Sequence, residues 1–268
     1  MKTVDSFLRG ALKVDLYYQE DEMAKQNIFD NETFFEGYKK IREKESNAND
    51  LFEIPTLFSL LPDLDGKKVL DLGCGYGEHC VSFVKKGADK VVGIDISEKM
   101  LEVAKTQNSD PRIEYILMPI EDIDQIKEKF DVVVSSLALH YVEDFEGVVK
   151  SVNNLLTSGG KFIFSQEHPF NTCHSTGERW TRDENGEKIH INLKNYGIEK
   201  ENESTWFIDG IKKYHRMFST IVNTLVEAGF SIEKMVEPLP DDELLKKFPE
   251  HKDLFHKPDF LVVKAGKR

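Results

Sequence analysis

The chain has 268 residues, and its 40% hydrophobic content is enough to fill the core of one large domain. A formal charge of −12 argues against a nucleic-acid ligand, which needs a basic footprint. No apolar run approaches the roughly 20 residues that span a bilayer, and Met1-Lys2-Thr3-Val4-Asp5 lacks the apolar core of a secretory leader, so no membrane partner and a cytoplasmic location are expected.

Residues 1–66 precede the first sheet strand and read as a helical cover. Leu12, Leu16 and Tyr17 suit one apolar helical face. Asn31 is a cap for a helix running to Arg42, and Leu51 to Leu61 forms another that stops near Pro62. From 67 onward, strand and helix patterns alternate, the signature of a parallel sheet. The spacing predicts strands at 68–72, 91–95, 112–117, 131–135 and 161–166, with helices at 77–86, 97–107, 123–128 and 144–156. Ser97 caps the second of these helices. Ligands of such sheets collect at the carboxyl ends of the strands. Asp71, Asp95, Ile120-Glu121, Ser135-Ser136 and Gln166-Glu167-His168 all fall at or just after those ends.

Residues 168–210 interrupt the alternation. The stretch is polar, with turn signals at Asn185-Gly186 and Asp209-Gly210, and reads as a hairpin-bearing lid over an acceptor pocket. A helix over 211–228 follows, closed by Gly229. Phe230 to Val236 is a sixth strand, Asp241 to Phe248 a short charged helix or loop, and Phe260 to Ala265 the last strand. The three cysteines, Cys74, Cys80 and Cys173, have no framework spacing and are expected as reduced thiols.

The densest motif is Val69-Leu70-Asp71-Leu72-Gly73-Cys74-Gly75-Tyr76-Gly77, a strand that breaks into glycines before a helix. Glycines let a backbone approach a ligand closely, and the helix start offers free N–H groups. The spacing departs from the G-x-G-x-x-G turn that holds a pyrophosphate. Asp71 just before it would repel a phosphate and attract an ammonium group. Asp95, ending the next strand, falls where doubly wound folds carry a ribose-binding carboxylate. A nucleoside with an amino-acid tail meets both demands.

From Lys67 to Glu167 these residues resemble the class I S-adenosylmethionine-dependent methyltransferases, methyltransferase-11-like. Asp71 to Gly77 is similar to the family's first motif and Asp95 to its ribose-binding acid. Pro119-Ile120-Glu121-Asp122-Ile123 is similar to its adenine-contacting turn, Phe130 to Ser136 to the strand and turn that follow, and Leu156 to Phe164 to its fifth strand and preceding turn. The resemblance implies an α/β fold with a doubly wound, seven-stranded, mostly parallel Rossmann-like sheet, a helical N-terminal cover and an inserted lid, the last strand being antiparallel. It also implies S-adenosyl-L-methionine as cofactor. Asp71, Gly73, Cys74, Gly75 and Gly77 would surround the methionine part, Asp95 and Ile96 the ribose, and Ile120 and Glu121 the adenine, with Ser135 on the same rim. Tyr38 and Arg42 would close over the cofactor from the N-terminal segment; packing and surface roles are the alternative.

Methyl transfer from a sulfonium is an in-line displacement that asks the protein mainly for position and a dry site. A base helps where the acceptor carries a proton. Glu167 and His168 follow the fifth strand, His140 follows the fourth, and His215 is expected on the helix after the lid; these are the candidates. Each histidine has a structural alternative: shaping the turn before Pro169, starting a helix, or stacking on the lid. Glu167, His168, Cys173, His174 and His190 match no tight zinc spacing, so no metal is expected. The sequence therefore reads as a methyltransferase acting on a small-molecule acceptor, with N-, O- and C-methylation all open. The alternatives are a non-catalytic binder of the same cofactor and an NAD-dependent oxidoreductase, the latter opposed by the glycine spacing and Asp71.

Overall fold

The computed structural model describes residues 26–42, 44–174 and 177–268, so the apolar face expected at Leu12, Leu16 and Tyr17 lies outside the described residues. The cover opens with α1 (Glu32–Arg42), whose first turn is capped by the Asn31 side chain accepting from Phe34 N at 3.1 Å. A π-helical turn over Asn49–Glu53 then feeds α2 (Ile54–Ser59). The alternating segment follows as β1 (Lys68–Leu72), α3 (Glu78–Lys85), β2 (Lys90–Asp95), α4 (Glu98–Gln107), β3 (Ile113–Leu117), β4 (Phe130–Ser135), α5 (Phe145–Leu155) and β5 (Leu156–Glu167). The lid holds α6 (Pro169–Thr172), β6 (Trp180–Arg182), β7 (Lys188–Ile191), β8 (Lys200–Ser204) and β9 (Ile211–His215). The chain returns to the sheet through α7 (Phe218–Glu227), β10 (Phe230–Val236), α8 (Asp242–Lys247) and β11 (Phe260–Lys267).

Seven strands form one sheet in the order β10-β11-β5-β4-β1-β2-β3. Only β11 runs against its neighbours, β5 and β10. Both faces are covered, which is why the central strands are near-continuous apolar runs. On β1, Leu70 and Leu72 pack with Val149 and Val152 of α5 and Ile221 and Leu225 of α7. Val69 packs on the opposite face with Leu57 of α2 and Phe83 and Val84 of α3. The fold is the doubly wound, Rossmann-like one expected.

Three local expectations are corrected. The helix expected over 123–128 is a 3₁₀ turn over Ile120–Gln125, because its buried residues Ile120 and Ile123 sit three apart, the period of that tighter helix. The helix expected from 211 begins at Phe218; Ile211–His215 is instead a strand paired with β8, closed by the Asp209-Gly210 turn with Gly210 at φ 75°. The strand-bearing segment inserted after β5 therefore extends through His215. Finally, β5 begins at Leu156, ahead of the expected 161, with a register irregularity against β4.

The cover and lid meet over the carboxyl ends of the strands. Phe34 and Ile211 are fully buried together, packed by Tyr38, Tyr141 and Phe207. Gly37 is small because a Cβ there would lie 2.5 Å from the Phe207 ring. Gln26 exchanges two hydrogen bonds with the Lys212 backbone, at 3.0 and 2.6 Å. The result is a roof.

Candidate cofactor and acceptor site

The glycine turn leaves β1 and is tied to β2, with Gly73 N and Cys74 N both donating to Ile94 O at 2.9 and 2.8 Å. Gly73 (φ 71°) and Gly75 (φ 52°) need the left-handed region. A Cβ on Gly73 would lie 2.7 Å from Ala138 Cβ, whereas one on Gly75 would enter open space. Asp95 holds this geometry: Oδ2 accepts from Gly75 N at 2.8 Å and Oδ1 from Ser97 N at 2.9 Å. Burial raises the Asp95 carboxyl, and these backbone donors work against that rise. Ser97 caps α4 through Met100 N at 3.1 Å and donates to Asp30 of the cover at 2.6 Å.

A cavity of about 570 Å³ opens above this edge. Of the residues expected at the cofactor, Tyr38, Arg42, Gly73, Cys74, Gly75, Asp95, Ile96, Ile120 and Glu121 line it. Asp71, Gly77 and Ser135 do not. Asp71 is 1% exposed inside the sheet, accepts from Cys80 Sγ at 3.4 Å, and is pushed up to about 7 by burial. Gly77 (φ 77°) begins α3 and makes room for Tyr115, whose hydroxyl would lie 2.2 Å from a Cβ there. Ser135 Oγ ties β4 to β1 by donating to Leu72 O at 3.0 Å. All three build the platform under the cavity.

The candidate acceptor residues divide the same way. Glu167 lines the cavity and pairs with Lys213 Nζ at 2.5 Å. Burial works to raise its carboxyl, yet the adjacent His140 ring and the Lys213 ammonium, with Arg179 nearby, hold it below the usual range. His140 also lines the cavity, 3.9 Å from Glu167 Oε1, and burial pushes it down to about 4, so it is neutral. His168 and His215 stand off the cavity. His168 starts α6, with Nδ1 accepting from Phe170 N at 3.2 Å and Nε2 meeting Glu237 at 2.9 Å. His215 lies on β9 rather than a helix and uses both nitrogens, on Thr172 Oγ1 at 2.9 Å and Tyr196 O at 2.8 Å. Both rings are tied by hydrogen bonds within the fold.

The structure adds residues that sequence reasoning passed over. Lys213, Arg179, Asn202 and Trp206 reach the cavity from the lid. Glu53 reaches it from the turn before α2, and its one visible signal is a lone carboxylate in the apolar run Leu51-Phe52-Glu53-Ile54-Pro55. Arg42 is held by Asp50 at 2.8 Å and Glu78 at 3.0 Å. Among the described residues, no three His, Cys, Asp or Glu side chains converge as a metal site.

Comparison with known proteins agrees with this geometry. Residues 70–164 match the family described as "Methyltransferase domain". An uncharacterized protein of Haemophilus influenzae is 42% identical over 249 residues, covering 91% of this chain and 98% of that one. A crystal structure of an S-adenosylmethionine dependent methyltransferase from Mesorhizobium loti is 36% identical, covers 80% of this chain and 97% of that one, and superposes with a TM-score of 0.73. A Listeria monocytogenes structure provisionally assigned to the same class is 42% identical, covers 81% and 96%, and has a TM-score of 0.75.

Proposed function

The chain belongs to the S-adenosylmethionine-dependent methyltransferases, and we propose that it methylates a small molecule held between the strand ends and the lid. The observation that carries this is one continuous cavity that runs from the glycine turn and Asp95 to Glu167, Lys213 and the lid. Its volume of about 570 Å³ is that of a small-molecule site. The formal charge of −12 disfavours a nucleic-acid acceptor, and no described helix is long and apolar enough to cross a membrane. The cytoplasm is the proposed location.

The residues present suit the cofactor. Gly73 and Gly75 leave a cradle that side chains would fill, and carboxylates outnumber free cations around it. When bound, S-adenosylmethionine supplies a methyl group on a positively charged sulfur. Asp95 keeps acceptor capacity on both oxygens beyond its two backbone bonds, which suits ribose hydroxyls. Ile120 and Glu121 would flank the adenine, with Tyr38 and Arg42 closing the amino-acid end. Asp71 acts from beneath without touching the ligand: burial raises its carboxyl, and a cation at the turn would favour its ionised form.

At the acceptor end, Glu167 and Lys213 form an ionised pair beside neutral His140. We assign Lys213 to orienting the acceptor as a donor, and Glu167 and neutral His140 to accepting from its proton-bearing group. Tyr141 and Trp206, each facing Lys213 at about 6 Å, give the pocket aromatic walls that exclude water.

Calorimetric titration with S-adenosylmethionine, S-adenosylhomocysteine and NAD tests the reading, with Asp95→Ala alongside. The wild type should bind the two sulfur nucleosides and not NAD, and the variant should lose at least tenfold while keeping its circular dichroism. Absence of binding by the wild type, or full affinity in Asp95→Ala, would refute the assignment.

A further inference from the structure

Glu53 ends the π-helical turn ahead of α2 and is 0% exposed. Oε1 accepts from Ser136 Oγ at 2.9 Å and from Ser165 Oγ, two hydroxyls at the carboxyl ends of β4 and β5. Oε2 is buried with no hydrogen-bond partner. The same side chain lines the cavity that contains Gly73, Gly75 and Arg42. Burial pushes the carboxyl up to about 7, and the serine hydroxyls only partly offset this.

An unpartnered buried carboxylate oxygen carries the full desolvation penalty of the group. A ligand can remove that penalty if it brings a donor and a positive charge together. No protein group described does so. Arg42 is the nearby cation, but its guanidinium is bound to Asp50 and Glu78. Asp50 is near enough to raise the Glu53 carboxyl, and Glu53 to raise that of Asp71, and neither neighbour brings a positive charge. This corner of the cavity therefore lacks a cationic donor. S-Adenosylmethionine has two positive groups, of which the sulfonium has no hydrogen to donate and the α-ammonium has three.

Resting on the cofactor reading above, we propose that Glu53 Oε2 accepts a hydrogen bond from the α-ammonium of the cofactor's methionine part. Glu53 is thus a cofactor-binding residue supplied by the N-terminal cover, outside the glycine motif. Ser136 and Ser165 position it by fixing the other oxygen. The cover and the ends of β4 and β5 are joined through this one side chain, so binding of the amino-acid tail and seating of the cover become a single event.

The test compares full-length wild type and Glu53→Gln by calorimetry with two probes. S-Adenosylhomocysteine carries the ammonium and no sulfonium; 5′-methylthioadenosine has the same nucleoside thioether and no amino-acid tail. Glu53→Gln should weaken S-adenosylhomocysteine at least tenfold and leave 5′-methylthioadenosine within twofold, the second probe reporting an intact nucleoside site. Unchanged binding of S-adenosylhomocysteine would overturn the proposal, and if methyl transfer alone were lost, Glu53 would be a catalytic group instead. Should Glu53→Gln bind neither probe, Glu53→Asp is read in the same way: equal loss of both probes again rejects the ammonium contact. Failure of the wild type to bind either probe would bring down the cofactor reading itself, a result distinct from all of these.

Discussion

Replacing Asp71 with asparagine gives a direct measure of how far the platform under the glycine turn excludes water. Asp71 is 1% exposed, and its one described side-chain partner is the weak donor Cys80 Sγ at 3.4 Å. Burial is the largest cause of its shift from an ordinary 3.8 to about 7, with Asp95 and Glu53 pushing the same way. The folded chain therefore keeps a proton that the unfolded chain releases between those values. Stability contributed by this group is present below pH 3.8, falls as pH rises through the window, and stays low above 7. About three pH units at ~1.36 kcal/mol each make about 4 kcal/mol. Asp71→Asn has no such titration. Urea unfolding of ligand-free protein, followed by the fluorescence of Trp180 and Trp206, should show the wild-type stability falling relative to the variant by about 4 kcal/mol from pH 4 to pH 8. A gap that stays constant within about 1 kcal/mol would refute the reasoning, because it would mean that water or a cation reaches the carboxylate.

Two further substitutions separate scaffold from site. Gly73→Ala places a Cβ 2.7 Å from Ala138 and should lower both the melting temperature and S-adenosylhomocysteine affinity, whereas Gly75→Ala, with open space before it, should cost only about 1–2 kcal/mol of backbone strain yet still abolish binding. Equal melting-temperature losses would contradict the cradle described for the turn. His215→Ala strands Thr172 Oγ1 and the Tyr196 carbonyl and should destabilise by about 1–3 kcal/mol. Cofactor affinity should stay at the wild-type level, and lost turnover in a fully stable variant would return His215 to the list of catalytic groups.

The sheet was legible because buried parallel strands are short apolar runs, and nothing else in this chain imitates them. The lid strand Ile211–His215 was not, for a physical reason: its two buried residues, Ile211 and His215, are four apart, the spacing of one helical face. Pairing with β8 decides the matter, and pairing is invisible in local periodicity. The glycine motif was legible as a backbone shape but not as a set of contacts. Gly73 and Gly75 face the cavity, while Gly77, within the same motif, makes room for Tyr115 from β3. Asp71 and Asp95 likewise read alike in sequence, each an acid at a strand end. One is closed inside the sheet and the other opens on the cavity.

What the sequence hid most completely are contacts made across long separations. Glu53 and Ser165 are 112 positions apart, and Glu167 and Lys213 are 46 apart. Each joins a cavity wall to a strand end only after the cover or lid has docked. Together these contacts give the cavity two electrostatic ends. Near the glycine turn, Asp71, Asp95 and Glu53 are all raised by burial, and the neighbouring Arg42 is already paired with Asp50 and Glu78. Carboxyls raised in this way are drawn into their ionised form by a bound cation, so that end suits a cation. Near the lid, Glu167 is kept ionised by Lys213, and Arg179 adds a second positive charge. On the proposed placement of the cofactor, a donor that arrives with a positively charged sulfur and leaves as a neutral thioether would be held by the first end more tightly before transfer than after it. On that placement the glycine motif supplies the shape, and the buried carboxyls, only two of which lie in or near the motif, supply charge as the cation draws them into their ionised form.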